Sequence, residues 1–136
     1  MYKFLPLLLL LISPLLASDV INQRQDSMQD FNKLMRAANQ SLKNVEIEGL
    51  AEIYGEIESI MKTYPTLFPD DSFGGKTKAS NDIIDNREAF NQIANDTAEW
   101  AALAKIAAEN NDLEALQQHQ QNLYGSCKSC HSRFKN

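Results

Sequence analysis

The side chains best suited to chemistry lie close to the C-terminus, in the run Cys127-Lys128-Ser129-Cys130-His131. Two thiols three positions apart, followed at once by an imidazole, form the Cys-x-x-Cys-His arrangement through which a haem is attached by two thioether bonds. The spacing follows from the chemistry. Each thiol adds to a vinyl group on one edge of the porphyrin, and the adjoining imidazole must then reach the iron. On a helix, Cys127 and His131 stand four residues apart and share a face. Cys130 is close enough to clamp the second vinyl without moving the first.

Two other chemistries use cysteines at this spacing. A redox-active Cys-x-x-Cys belongs near the start of a helix in a βαβ setting, and this chain offers no strand. A structural zinc site needs four ligands, and only Cys127, Cys130 and His131 cluster. A haem-free thiol-disulfide oxidoreductase stays as the remote alternative.

The surrounding chain is read as the pocket for that group. At 136 residues, 43% of them apolar, its length suits one domain. Lys3, the apolar run Leu5 to Leu16 and the small pair Ala17-Ser18 read as a secretory signal peptide over residues 1–17. The run is short for a membrane span, and Pro6 and Pro14 oppose a stable spanning helix. A stable membrane anchor is therefore not expected. Covalent haem attachment takes place outside the cytoplasm, so leader and motif independently point to the periplasm. Without Lys3, 12 of the 13 basic residues face 18 acidic ones, a charge of about −6. Such a chain is not expected to bind nucleic acid or anionic membranes.

From residue 18 to 136 nothing reads as a strand, and four segments show helical period. The first helix should run from about Asp19, capped by Ser18 or Asp19, to about Leu42. Its inward stripe is Val20, Arg24, Met28, Phe31, Met35, Ala38 and Leu42. A buried arginine needs an anionic partner. A second helix, about Val45 to Lys62, ends before Pro65 and Pro69. A connection of about twenty residues follows, to near Ile84, and length of that order signals a functional role. Asp85-Asn86-Arg87-Glu88 and Asn111-Asp112-Leu113-Glu114 read as capping boxes opening the third and fourth helices. The third carries an alanine-rich inner face. The expected fold is all-α: an antiparallel up-down-up-down four-helix bundle with a long loop between helices two and three.

In such a bundle the end of helix four meets the start of helix one, which brings Met28 to the height of His131. Met35 would lie too deep. Met61, at the end of helix two, is the competing sulfur, and His119 on a Gln-rich stretch should face solvent. No set of residues reads as a catalytic acid, base or nucleophile, so the chain is not expected to be an enzyme.

Arg24-Gln25-x-x-Met28, Leu67-Phe68-Pro69, Lys76-Thr77-Lys78-Ala79, Phe90, Asp112-Leu113 and the block Cys127 to Lys135 together resemble the class II c-type cytochromes, the cytochrome c′ family. The resemblance implies one covalent haem c per chain, held by Cys127 and Cys130, with His131 as proximal ligand. It places Arg24 and Gln25 at the haem propionates and Met28 at the distal position. Relatives with methionine there are six-coordinate and low-spin; relatives with leucine or an aromatic residue keep an open iron. Two positions depart from the pattern: Lys135 stands where arginine is common, and Ile84 where tryptophan is frequent. The implied function is a periplasmic monohaem electron carrier that meets redox partner proteins and pairs as a homodimer through helices one and two. The alternative is a five-coordinate protein that binds NO or CO.

Overall fold

Apolar side chains recurring at three- and four-residue steps coil into four long helices in the computed structural model, which describes residues 14–136, with side chains from Ala17 onward. In chain order the elements are α1 (Pro14–Lys43), α2 (Leu50–Thr63), a 3-10 turn (Tyr64–Leu67), the single-turn α3 (Asp82–Asp85), α4 (Arg87–Glu109) and α5 (Leu113–Phe134). α1 packs on α2, α2 on α4, α4 on α5, and α5 back on α1. This is the expected four-helix bundle, with short links at residues 44–49 and 110–112 and a long connection at 64–86. No described helix is long and apolar enough to cross a membrane.

Each long helix buries one stripe. Phe31, Met35, Ala38 and Leu42 of α1 meet Leu50, Tyr54, Ile57 and Met61 of α2 and Leu116 and Leu123 of α5. α4 contributes Ala94, Ala98, Ala101, Ala104, Ala107 and Ala108, and side chains this small let the neighbouring helices approach closely. The central polar groups are satisfied across three helices. Tyr54 Oη donates to Gln120 Oε1 at 2.8 Å, and Gln120 Nε2 donates to the Met35 carbonyl at 3.3 Å. Burial pushes the Tyr54 phenol's pKa well up from its ordinary value, so it remains a donor.

Several boundaries differ from the sequence expectation. Residues 1–13 of the expected signal peptide lie outside the described residues, while Pro14–Ala17 form the first turn of α1. α2 starts at Leu50, five residues later than Val45. The reason is the end of α1, where the Glu46 N–H donates to the Ser41 carbonyl and the Val45 N–H to the Leu42 carbonyl. That paired pattern forces the residue after the helix cap into the left-handed region, and Val45 sits there with φ 57°. The same pattern ends α4, with Asn111 at φ 54°. This moves the cap of α5 to Asp112, which accepts from the Ala115 N–H at 3.1 Å. The box expected at Asp85 to Glu88 does not form. The Asn86 side chain donates to the Asp82 carbonyl and accepts from Arg133 instead.

Asn tolerates the left-handed conformation; a β-branched residue pays a steric penalty in it. Val45 is also 62% exposed, so little packing is lost by removing its side chain. Val45→Gly is expected to raise the unfolding free energy by about 1 kcal/mol, read by urea denaturation. Equal or lower stability would contradict strain at this turn.

Candidate functional site

At the end of the bundle where α5 finishes, the four long helices and the 64–86 connection part around a cavity of about 680 Å³, within the range of small-molecule and cofactor pockets. Cys127, Cys130 and His131 of α5, Met28 of α1 and Met61 of α2 all line it. Met35 does not: it is buried in the main core, one helical turn beyond Phe31. Tyr64, Phe68, Phe90 and Phe134 pack edge to face in sequence, with ring centroids 5.1, 4.7 and 5.4 Å apart. Burial pushes the Tyr64 phenol up to about 12, which keeps it protonated at this aromatic end of the cavity.

The chemistry of the donors separates the candidate ligands. Both thiols are free and half-buried. Desolvation, and after it the proximity of Cys130, pushes Cys127 up to about 11; desolvation also raises Cys130. They lie in the last turns of α5, where the helix dipole opposes an anion. A disulfide-exchange enzyme requires the reverse, a stabilised thiolate. Among the described residues, no three His, Cys, Asp or Glu side chains converge on a point that would hold an ion. Two thiols and an imidazole spread along one wall of an apolar cavity therefore suit a flat, multiply attached group better than a chelated metal. His131 is exposed as a residue but borders the cavity. Desolvation, and secondarily the charge of Lys135, lower its pKa, which favours the neutral, ligating imidazole.

Residues 19–135 match the family model described as Cytochrome C′. The chain belongs to the cytochrome c′ family. Its cofactor is the covalently attached haem c of that family. The cytochrome c′ of Rhodospirillum rubrum is 39% identical over 80 residues, a match covering 58% of this chain and 54% of that protein. The match thus spans about half the length of that curated relative. The solved cytochrome c′ of Shewanella frigidimarina superposes with a TM-score of 0.82 at 22% identity, covering 88% of this chain and 96% of that one. A nitric oxide complex of a single-residue variant of the cytochrome c′ from Alcaligenes xylosoxidans gives 0.75 at 19% identity, covering 88% and 96%. The family match does not distinguish methionine-ligated members from open ones.

Arg24 holds the long connection over this cytochrome's cavity. It is only 3% exposed, and its partners are neutral, where the sequence led us to expect an anion. Nη1 donates to the Leu67 carbonyl (3.1 Å) and Ser72 Oγ (2.8 Å), and Nη2 to the Ser72 carbonyl (2.9 Å) and Thr77 Oγ1 (3.0 Å). The guanidinium also lies 4.5 Å from the centroid of Phe68 and 5.6 Å from that of Phe73. Four oxygens and two aromatic faces replace the single counter-ion. Gln25, exposed beside it, donates to the Lys76 carbonyl at 3.0 Å. The other end of the connection is tied to the tail of α5: Ser80 N–H donates to the Phe134 carbonyl and Asn136 N–H to the Lys78 carbonyl. Ser72 and Thr77 carry no sequence signal for this role, because hydroxyls are ordinary in loops. His119, expected in solvent, is half-buried against Trp100 with ring centroids 5.9 Å apart.

Arg24→Lys keeps the charge but loses the planar fork. It is expected to cost about 2–4 kcal/mol and to speed amide exchange at Ser72 and Ser80 far more than at Ala101 or Leu116. Undiminished protection of Ser72 and Ser80 would contradict the clamp.

Proposed function

We propose that this chain is an exported monohaem electron carrier in which Cys127 and Cys130 hold the haem, His131 is the proximal ligand and Met28 the distal one. One observation carries the proposal: Met28 of α1 borders the same cavity as the two thiols and the imidazole of α5. When bound, the haem supplies one-electron iron chemistry, and histidine plus methionine ligation favours the reduced state.

The chain's own residues bind, orient and enclose. The two thiols fix one edge of the ring, the neutral imidazole offers a lone pair, and the thioether of Met28 supplies a soft, uncharged donor. Aromatic packing from Tyr64 to Phe134 keeps water from that end of the cavity. Arg24 and Gln25 border the cavity as cation and amide for the haem carboxylates. With its four terminal N–H bonds committed to the connection, Arg24 acts on them through Nε–H and its charge. On this reading the chain carries electrons and is not an enzyme.

Export through residues 1–17 to the periplasm belongs to the same proposal, and the family match beginning at residue 19 supports the boundary. So do exchange with redox partner proteins and pairing through α1 and α2 as a homodimer. A second reading, an open distal face that takes NO or CO with Met28 only lining it, draws support from the relative solved as its nitric oxide complex.

The pyridine haemochrome spectrum is expected to show two thioether links; a colourless product would remove both readings. Met28→Ala is expected to turn a low-spin ferric spectrum high-spin and to speed CO binding to the reduced protein, while Met61→Ala leaves it low-spin. The reverse pattern would assign the ligand to Met61. A wild-type protein already high-spin and quick to bind CO would establish the open reading.

A further inference from the structure

Charge is distributed unevenly over this acidic chain. Its formal net charge is −5, yet no Asp or Glu follows Glu114, and none lies between Ser72 and Asn81. The fold fastens these two acid-free segments together, through Ser80 N–H to the Phe134 carbonyl at 2.9 Å and Asn136 N–H to the Lys78 carbonyl at 2.8 Å. Lys76, Lys78 and Lys135 thereby meet at the rim of the haem cavity, all three exposed. Among the described residues, no Asp or Glu borders the cavity. Among the described residues the ion pairs are Lys33–Asp30, Lys62–Glu58 and Arg87–Asp70, so none of the three lysines is neutralised by one.

The haem's two carboxylates offset at most two of the four cations that border the cavity, Arg24 included. The rim stays positive. Screening over about 8–10 Å at physiological salt keeps the acidic remainder of the chain from cancelling that local potential. Electrons enter and leave through this rim if the group sits where the thiols and imidazole place it, so the inference rests on the carrier reading.

We propose that Lys76, Lys78 and Lys135 form a docking surface for an acidic electron-exchange protein, one that presents carboxylates to the mouth of the cavity. Three flexible ammonium groups spread around a rim do not build a site for a small anion. They suit the loose, salt-sensitive encounter of two oppositely charged surfaces, where charge sets the association rate. A bilayer fits less well. The large apolar side chains exposed among the described residues, Val45, Leu103, Ile106 and Tyr124, do not border this cavity, so no anchor for insertion accompanies the charge.

The test uses the full haem-loaded protein in its reduced form and hexacyanoferrate(III) as the anionic oxidant, which takes one electron from the iron. Despite the net negative charge, the rate is expected to fall as salt rises. Combined Lys76→Glu, Lys78→Glu and Lys135→Glu should slow it about tenfold or more at low salt and invert the salt dependence. Lys43→Glu, at the far end of α1, should do neither. Poly-L-glutamate should shift the amide resonances of Lys76, Lys78 and Lys135, and phosphatidylglycerol vesicles should not retain the protein. A wild-type rate that rises with salt, or binding to vesicles but not to polyglutamate, would overturn the surface. Either result from a protein that carries covalent haem leaves the carrier reading standing.

Discussion

A buried guanidinium without a carboxylate beside it holds the working end of this bundle together. Helices pack tightly along their alanine-lined lengths, but a bundle that must admit a flat group cannot close at that end. The gap is covered by the connection between α2 and α4, which has little regular structure to hold itself in place. Arg24 supplies the missing constraint, bonding four oxygens at three points of the connection while two aromatic rings flank it. Arg87 of α4 adds an outer fastening to the Phe68 carbonyl and Asp70, and the tail of α5 holds the far end. The cost of burying a charge is offset by those hydrogen bonds and ring contacts.

The same end is organised by where α5 stops. Placing both thiols in the last turns of a helix and out of water suppresses their acidity, which removes the reactivity a dithiol enzyme needs and leaves them as protonated thiols beside an apolar slot. The imidazole next in sequence is kept neutral by desolvation and by Lys135. Lys135 thus bears on the His131 imidazole and on the charge of the rim at once.

Much of this was legible in the residues. The helix stripes were, because burial imposes a 3.6-residue period that Phe31, Met35, Ala38 and Leu42 display openly. Met28 and Met61 were recognisable as rival sulfurs because rise per residue fixes height along a bundle. The partners of Arg24 were not, since two hydroxyls and two carbonyls some fifty residues away leave no pattern in the sequence. The helix ends are hidden in the sequence for a related reason. Val45 and Asn111 adopt left-handed conformations through backbone hydrogen bonding, and nothing about valine announces it. His119 reads as solvent-facing in the sequence because its cover, Trp100, stands on a different helix.

The claim at the centre is covalent: the thiols of Cys127 and Cys130 are spent on a haem beside His131. Peptide mass mapping of the exported protein, made alongside working haem-ligation machinery, tests it most directly. The account predicts that the fragment containing Cys127 to His131 carries the mass of one haem and that neither cysteine can be alkylated. An unmodified fragment whose two thiols both take up alkylating reagent would contradict it.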